Sequence, residues 1–322
     1  MVKRKRYKLK PDIFLYIAVL IVVIILANKG IDAYKEYKYH QTTEYKLIEV
    51  GYSKKDIKIL SKYLSEKELI KITKEKQNKT LVNLMNSKYY LHKNLDQYLE
   101  YLDLNPNKTI DEVIKDVNIH HNYAYYENTI ETDTSLNYEL LVNKYYYLTK
   151  DYEPDDLVVI STKYSWGTAG SQKVRKEAYD AFIKMHEAAN ENGIYLMVNS
   201  SYRDYASQER VYNNYKTNHS EEYADKIAAR PGFSEHQTGL ALDIFSIKNP
   251  AQATFKDSDA YAWLKDNSYK YGFILRYPEN LENITGYSFE SWHYRYVGVE
   301  TAKKVYESGL TYDEYYAYNI EK

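Results

Sequence analysis

Three side chains able to hold a divalent metal occur in the second half of the chain. His236 and Asp243 fall within Ser234-Glu235-His236-Gln237-Thr238-Gly239-Leu240-Ala241-Leu242-Asp243, and His293 falls within Glu290-Ser291-Trp292-His293. Two imidazoles and one carboxylate leave a position open on a tetrahedral zinc ion, which suits a catalytic rather than a structural site. Glu290 stands three residues before His293. A carboxylate near the metal but outside its ligand set is what a zinc hydrolase needs as general base. Each fragment taken alone also fits a plain structural role; the joint pattern carries the reading.

The elements around these residues must bring them together. The spacing of His236 and Asp243 fits one helix face as well as a loop followed by a strand. Gly239 favours a turn, and Leu240–Phe245 is too apolar and β-prone for a polar helix face. His236 is therefore expected on a loop and Asp243 on the strand returning past it. His293 opens another expected strand, Trp292–Val297, so Glu290 and His293 converge across a short turn. Upstream, Leu157–Ser161 reads as a strand, and Ser171–Asn190 as an amphipathic helix closed by Asn192-Gly193. Ile194–Ser200 is a strand leading into Ser201-Tyr202-Arg203-Asp204, and a helix from about Ala206 to Lys216 carries Gln208. Helix Asp259–Tyr271, strand Gly272–Arg276 and helix Val299–Ser308 complete the region. Strands and helices mix without strict βαβ alternation, which argues an α+β fold. His186, inside the first helix, and the adjacent pair His120-His121 read as packed or surface histidines.

The chain has 322 residues and a net charge of -1, so no global basic field points to nucleic acid. The absence of cysteine excludes disulfides and thiolate zinc ligands. Tyrosine is abundant, at 40 residues. Arginine is rare: Arg4, Arg6, Arg175, Arg203, Arg210, Arg230, Arg276 and Arg295 are all there are, so an arginine inside a motif is informative. At the N-terminus Lys3, Arg4, Lys5, Arg6, Lys8 and Lys10 precede an apolar run, Ile13 to Ala27. That order keeps the start of the chain in the cytoplasm and sends the rest outside. The run spans about 22 Å as a helix, short against a hydrocarbon core of ~30 Å. No small-residue cleavage site follows it, which favours an anchor over a cleaved signal. The expected organisation is a basic flank and anchor over 1–30, an extracytoplasmic helical stem over 31–150, and a catalytic domain over 151–322. Helices are expected at Lys55–Leu64, Glu66–Lys76, Asn94–Leu104 and Ile110–Val117.

The residues from about Asp155 to Gly309 resemble the zinc D-alanyl-D-alanine carboxypeptidases of the VanY-like branch, which are similar in fold to the hedgehog amino-terminal domain. The resemblance rests on Asn199-Ser200-Ser201-Tyr202-Arg203, Gln208, the run from Pro231 to Asp243, Gly272 to Pro278, and Glu290 to Gly298. It implies a small, mainly antiparallel sheet flanked by helices and carrying a mononuclear zinc site. It implies zinc ligands at His236, Asp243 and His293, Glu290 as base, Arg203 on the anionic transition state, and Gln208 and Ser234 on the substrate. Ser291 departs from the proline found in many relatives and only shapes the turn. The expected function is removal of the terminal D-alanine from peptidoglycan stem peptides by a single-pass membrane enzyme of a Gram-positive cell. L,D-carboxypeptidase, wall endopeptidase and a non-catalytic wall-binding module are the alternatives. The stem carries no assignable motif.

Overall fold

The computed structural model describes residues 11–167 and 170–321. The basic residues before Pro11 lie outside the described residues. The chain divides into two compact units, Met1–His92 and Lys93–Lys322.

In the first unit, Pro11–His40 is one helix of 30 residues, about 45 Å long at 1.5 Å per residue. The helix thus continues well beyond the apolar run, because Asn28 to His40 holds no proline and its one glycine, Gly30, weakens a helix without ending it. Its stretch Asp12–His40 is long and apolar enough to cross a membrane, and its window of highest hydropathy is wholly exposed. Short helices Thr43–Val50, Lys54–Leu60, Glu66–Ile72 and Lys79–Asn86 follow. Ser53 with Asp56 and Ser65 with Glu68 form reciprocal caps at two of their starts. These helices bury Leu47, Leu60, Leu69, Leu84 and Met85. The second and third of them end several residues before the periodicity suggests.

The second unit is built on a four-stranded sheet of β1 (Leu196–Ser200), β2 (Ala241–Ser246), β3 (Phe273–Leu275) and β4 (His293–Tyr296). The spatial order is β1-β2-β4-β3, with every neighbour antiparallel. A separate antiparallel pair joins Leu157–Val159 to Lys173–Arg175. Helix α1 (Lys176–Asn190) covers one sheet face. Its Ala178, Phe182, Met185 and Ala189 pack with Leu196, Val198, Leu242, Ile244, Phe273, Tyr294 and Tyr296. Burying a side chain such as Phe182 contributes about 1.5–3 kcal/mol. Helix α2 (Tyr205–Asn218) follows β1. Along β4 the alternation of two sends Tyr294 and Tyr296 into this core and leaves His293 and Arg295 for the other face.

That other face is covered too. Ile274 of β3 packs with Leu141, Tyr145 and Tyr146, with Ala302 and Val305 of α3 (Val299–Ser308), and with Tyr312, Tyr315 and Tyr316 of α4 (Tyr312–Asn319). Composition places the start of the catalytic domain at residue 151. Packing starts the compact unit at Lys93 instead. The reason is chemical: the sheet carries fully buried Arg276 and Arg295 on this face, and Arg295 donates to the carbonyls of Tyr138 at 3.1 Å and Leu140 at 2.6 Å. Helix α4 was not expected. Its tyrosines are buried all round, so no 3.6-residue stripe marks it; the Thr311–Glu314 capping box was the available signal.

Candidate metal centre and active site

Strand register closes the fifty-residue gap between two of the candidate ligands: Asp243 on β2 pairs directly with His293 on β4. Asp243 Oδ1 lies 3.2 Å from His293 Nδ1. His236 arrives from the 3₁₀ turn Glu235–Thr238, and its Nε2 lies 3.6 Å from Asp243 Oδ2. Gly239 ends that turn at φ 67°. A Cβ there would meet Leu157 Cδ2 at 2.9 Å and Arg175 Cγ at 3.0 Å, so both backbone sign and space demand glycine. Ser201 O accepts from His236 Nδ1 at 2.8 Å, which leaves Nε2 as the free nitrogen. The expected loop and strand positions for His236 and Asp243 are those observed.

The donor set fits zinc. The offered atoms of His236, Asp243 and His293 all lie within 4.8 Å of one another. Four ligands at zinc bond lengths of about 2.0–2.2 Å stand roughly 3.3–3.6 Å apart, close to the two separations above. Burial drives His236 down to about 3 despite the Asp243 charge. Burial opposes charge on His293 as well, but hydrogen bonds to Asp243 and Glu235 and the charges of Asp243 and Glu290 outweigh it and raise His293 to about 9. Asp243 is lowered although burial opposes its ionisation, because His236, His293 and Arg203 surround it. Of these three, only His293 thus gains affinity for a proton, and a divalent cation taken up beside Asp243 displaces that proton.

Glu290 Oε2 stands 3.6 Å from His293 Nδ1. The turn that aims it is held by Glu290 N to Tyr277 O at 3.1 Å and His293 N to Glu290 O at 3.2 Å. Burial pushes Glu290 up to about 7; His293 and Arg203 oppose the rise and Asp243 adds to it. A carboxyl poised near neutrality can both take and return a proton. Arg203, in the loop between β1 and α2, lines the same cavity, which measures about 160 Å³. Its Nη1 donates to Gln208 Oε1 at 2.7 Å and its Nη2 to Ser200 Oγ at 3.0 Å. Gln208 Nε2 in turn donates to Ala229 O at 2.7 Å. Burial lowers Arg203, yet a guanidinium stays charged.

All seven expected site residues therefore line one cavity, but two carry further contacts. Gln208 is tied at both ends, to Arg203 and to backbone. Ser234 Oγ accepts from His236 N at 3.3 Å and so caps the turn as well as lining the cavity. Residues given no role from sequence also reach the site. Ser200 holds Arg203, Tyr277 sets its ring 4.9 Å from the His293 ring, and Glu235 Oε2 accepts from His293 Nε2 at 3.2 Å. The scarcity of arginine was the usable signal for Glu235, since Arg276 and Arg295 both converge on it. His186 is satisfied, its Nδ1 2.9 Å from Leu196 O, and His120 Nε2 lies 2.9 Å from the Tyr146 hydroxyl.

Residues 171–299 match the family described as VanY, D-alanyl-D-alanine carboxypeptidase. The chain is 44% identical over 179 residues to the carboxypeptidase candidate YodJ of Bacillus subtilis (strain 168), covering 55% of this chain and 66% of that protein. It is 32% identical over 182 residues to the bifunctional D-Ala-D-Ala dipeptidase and D-Ala-D-Ala carboxypeptidase VanXYC of Enterococcus gallinarum, covering 55% of this chain and 93% of that protein. The chain thus spans just under two thirds of the Bacillus relative's length and nearly all of the enterococcal one. Among solved structures, the LdcB LD-carboxypeptidase, described for its peptidoglycan recognition, aligns with TM-score 0.56 and 40% identity over 60% of this chain and 91% of that one.

Proposed function

The chain belongs to the VanY family of D-alanyl-D-alanine carboxypeptidases, and on that premise we propose that it removes the terminal D-alanine from peptidoglycan stem peptides in a zinc-dependent hydrolysis. One observation carries the reading. Nδ1 of His293, Nε2 of His236 and the Asp243 carboxylate converge, and Glu290, outside that set, stands 3.6 Å from His293. Zinc bound by these three residues supplies Lewis-acid chemistry, polarising a carbonyl and acidifying water. Glu290 takes the proton of the attacking water on its carboxylate and returns it to the leaving amine nitrogen. Arg203 faces the charge that builds on the scissile carbonyl oxygen, and Gln208 and Ser200 keep its guanidinium from swinging away. Ser234 holds the His236 turn and presents its hydroxyl toward the bound peptide. In this reading the enzyme is a single-pass protein of the cell membrane with its catalytic unit facing the wall, supported by an N-terminal helix long and apolar enough to cross a membrane.

A second reading is an L,D-carboxypeptidase acting on tetrapeptides, favoured by the likeness to the LdcB structure at 40% identity. Mass spectrometry after incubation of the full chain with purified stem peptides separates the two. Loss of one alanine from a pentapeptide ending in D-Ala-D-Ala is expected. Cleavage of the tetrapeptide alone transfers the assignment to the second reading, and intact peptides in both digests reduce the chain to a wall-binding module.

A further inference from the structure

Glu235, beside the ligand His236, lies in the lining of the cavity and is 1% exposed. A carboxylate so deeply buried is costly unless it is paired and hydrogen-bonded. It is: Oε1 accepts from Arg276 Nε at 2.8 Å and from Arg295 Nη1 at 2.9 Å, while Oε2 accepts from His293 Nε2 at 3.2 Å. Arg276 is held in turn by both oxygens of Asp313 on α4, at 2.6 and 3.0 Å. Asp313 Oδ1 also accepts from Asn143 Nδ2 at 2.8 Å. Two carboxylates and two guanidiniums make this buried cluster neutral, so it has no net charge to exchange with the cavity. Its side chains meet the metal centre at the bond from His293, and Arg276 N also donates to His293 O at 3.2 Å.

We propose that Glu235 is the positioning residue of the metal centre: it fixes His293 in the Nε2–H tautomer and holds the ring so that Nδ1 faces Asp243. The proposal rests on His293 being a metal ligand. An imidazole with its second nitrogen hydrogen-bonded to a carboxylate is both oriented and more basic toward a metal. The two arginines keep Glu235 ionised and immobile, and through Asp313 and Asn143 they tie that geometry to α4 and to the segment crossing the sheet. His236 has no such carboxylate; the neutral carbonyl of Ser201 fills that role. The two histidines therefore differ in how strongly they are held, and His293 is the one whose hold can be tuned.

The test uses the full chain in detergent, stripped of metal and titrated with zinc against a chelator of known affinity. Wild type should take up one zinc. Glu235→Gln, which keeps an acceptor but not the charge, should bind it about 10–100-fold more weakly, and Glu235→Ala more weakly still. In parallel, chains labelled with nitrogen-15 at histidine report the His293 tautomer by long-range proton–nitrogen correlation. Wild type loaded with zinc should show a slowly exchanging proton on Nε2. If wild type binds no zinc, the metal-site reading fails and the proposal with it. If wild type binds zinc and folded Glu235→Gln binds it within twofold, the positioning role alone is overturned. If Glu235→Gln does not fold, the wild-type spectrum decides: a protected Nε2 proton supports the role, and a bare or rapidly exchanging Nε2 overturns it.

Discussion

Glu290 and the three candidate ligands sit within a few ångströms of one another, yet they should fail differently when removed. Replacing His236, Asp243 or His293 by alanine deletes a metal donor, so metal content and hydrolysis should be lost together. Glu290→Ala should keep about one zinc per chain by elemental analysis while kcat falls by roughly 10²–10⁴, the range for a lost general acid–base. Zinc loss in that variant would place Glu290 among the ligands. Arg203 offers a second contrast. Arg203→Ala removes a donor at the developing charge and should cost on the order of 10²–10³ in kcat. Gln208 touches Arg203 through Nη1 and spends its own amide on Ala229 O. Gln208→Ala should therefore lower kcat more than it raises KM, and should add little in an Arg203→Ala background. Additive effects would mean that Gln208 holds the substrate on its own account.

At the scale of elements, the segment from about residue 130 to 152 wraps the loop that carries His236. Gln237 Nε2 donates to Thr149 O at 2.9 Å and to Tyr152 O at 3.2 Å. Leu148 N donates to Gly232 O at 2.8 Å; Gly232 sits at φ +87°, and a Cβ there would meet Leu148 O at 2.9 Å. Backbone carbonyls of this segment also receive Arg295, which no side-chain substitution elsewhere replaces. A chain lacking 93–150 should consequently fail to hold zinc, whereas one lacking 41–92 should keep both zinc and hydrolysis of a short soluble peptide. Asn143→Ala is the milder version. It takes the Asn143 Oδ1 acceptor from buried Tyr145 N and Tyr146 N, at 2.8 and 3.0 Å, and one of two donors from Asp313 Oδ1; it should cost about 1–3 kcal/mol of stability, read as a lowered thermal midpoint with kcat nearly unchanged. Normal zinc uptake by the 93–150 deletion would show that the sheet can satisfy its arginines without this cover.

For the whole molecule, the helix Pro11–His40, long and apolar enough over Asp12–His40 to cross a membrane, bears on where the proposed chemistry takes place. Its length exceeds a hydrocarbon core of ~30 Å by more than ten ångströms, so a membrane-crossing helix would carry its tyrosine- and lysine-bearing end from Tyr34 to His40 into the polar region. The chain has no cysteine, which makes one introduced at exposed Lys62 a unique label. Intact cells carrying Lys62→Cys should react with a membrane-impermeant maleimide. Labelling seen only after the cells are opened would put the catalytic unit in the cytoplasm and remove the wall as its substrate.

Much of the candidate site was legible along the chain because histidine and arginine are scarce in it and stand with two carboxylates inside short motifs whose glycine and apolar neighbours restrict the local backbone. The apolar helix at the N-terminus was legible for the same local reason. Tertiary structure alone decided the rest. Asp243 and His293 meet because β2 and β4 pair in one register, a long-range fact that no spacing encodes. Residues 93–150 fall in one compact unit with the sheet, where buried Arg295 donates to the carbonyls of Tyr138 and Leu140, and the tyrosine- and lysine-rich composition of that stretch hides the demand. Glu235 looked like an ordinary motif residue beside His236. Its direction, into a neutral cluster of two arginines and Asp313, exists only once four separate stretches of chain have come together, since a buried charge is tolerable only where all its partners arrive.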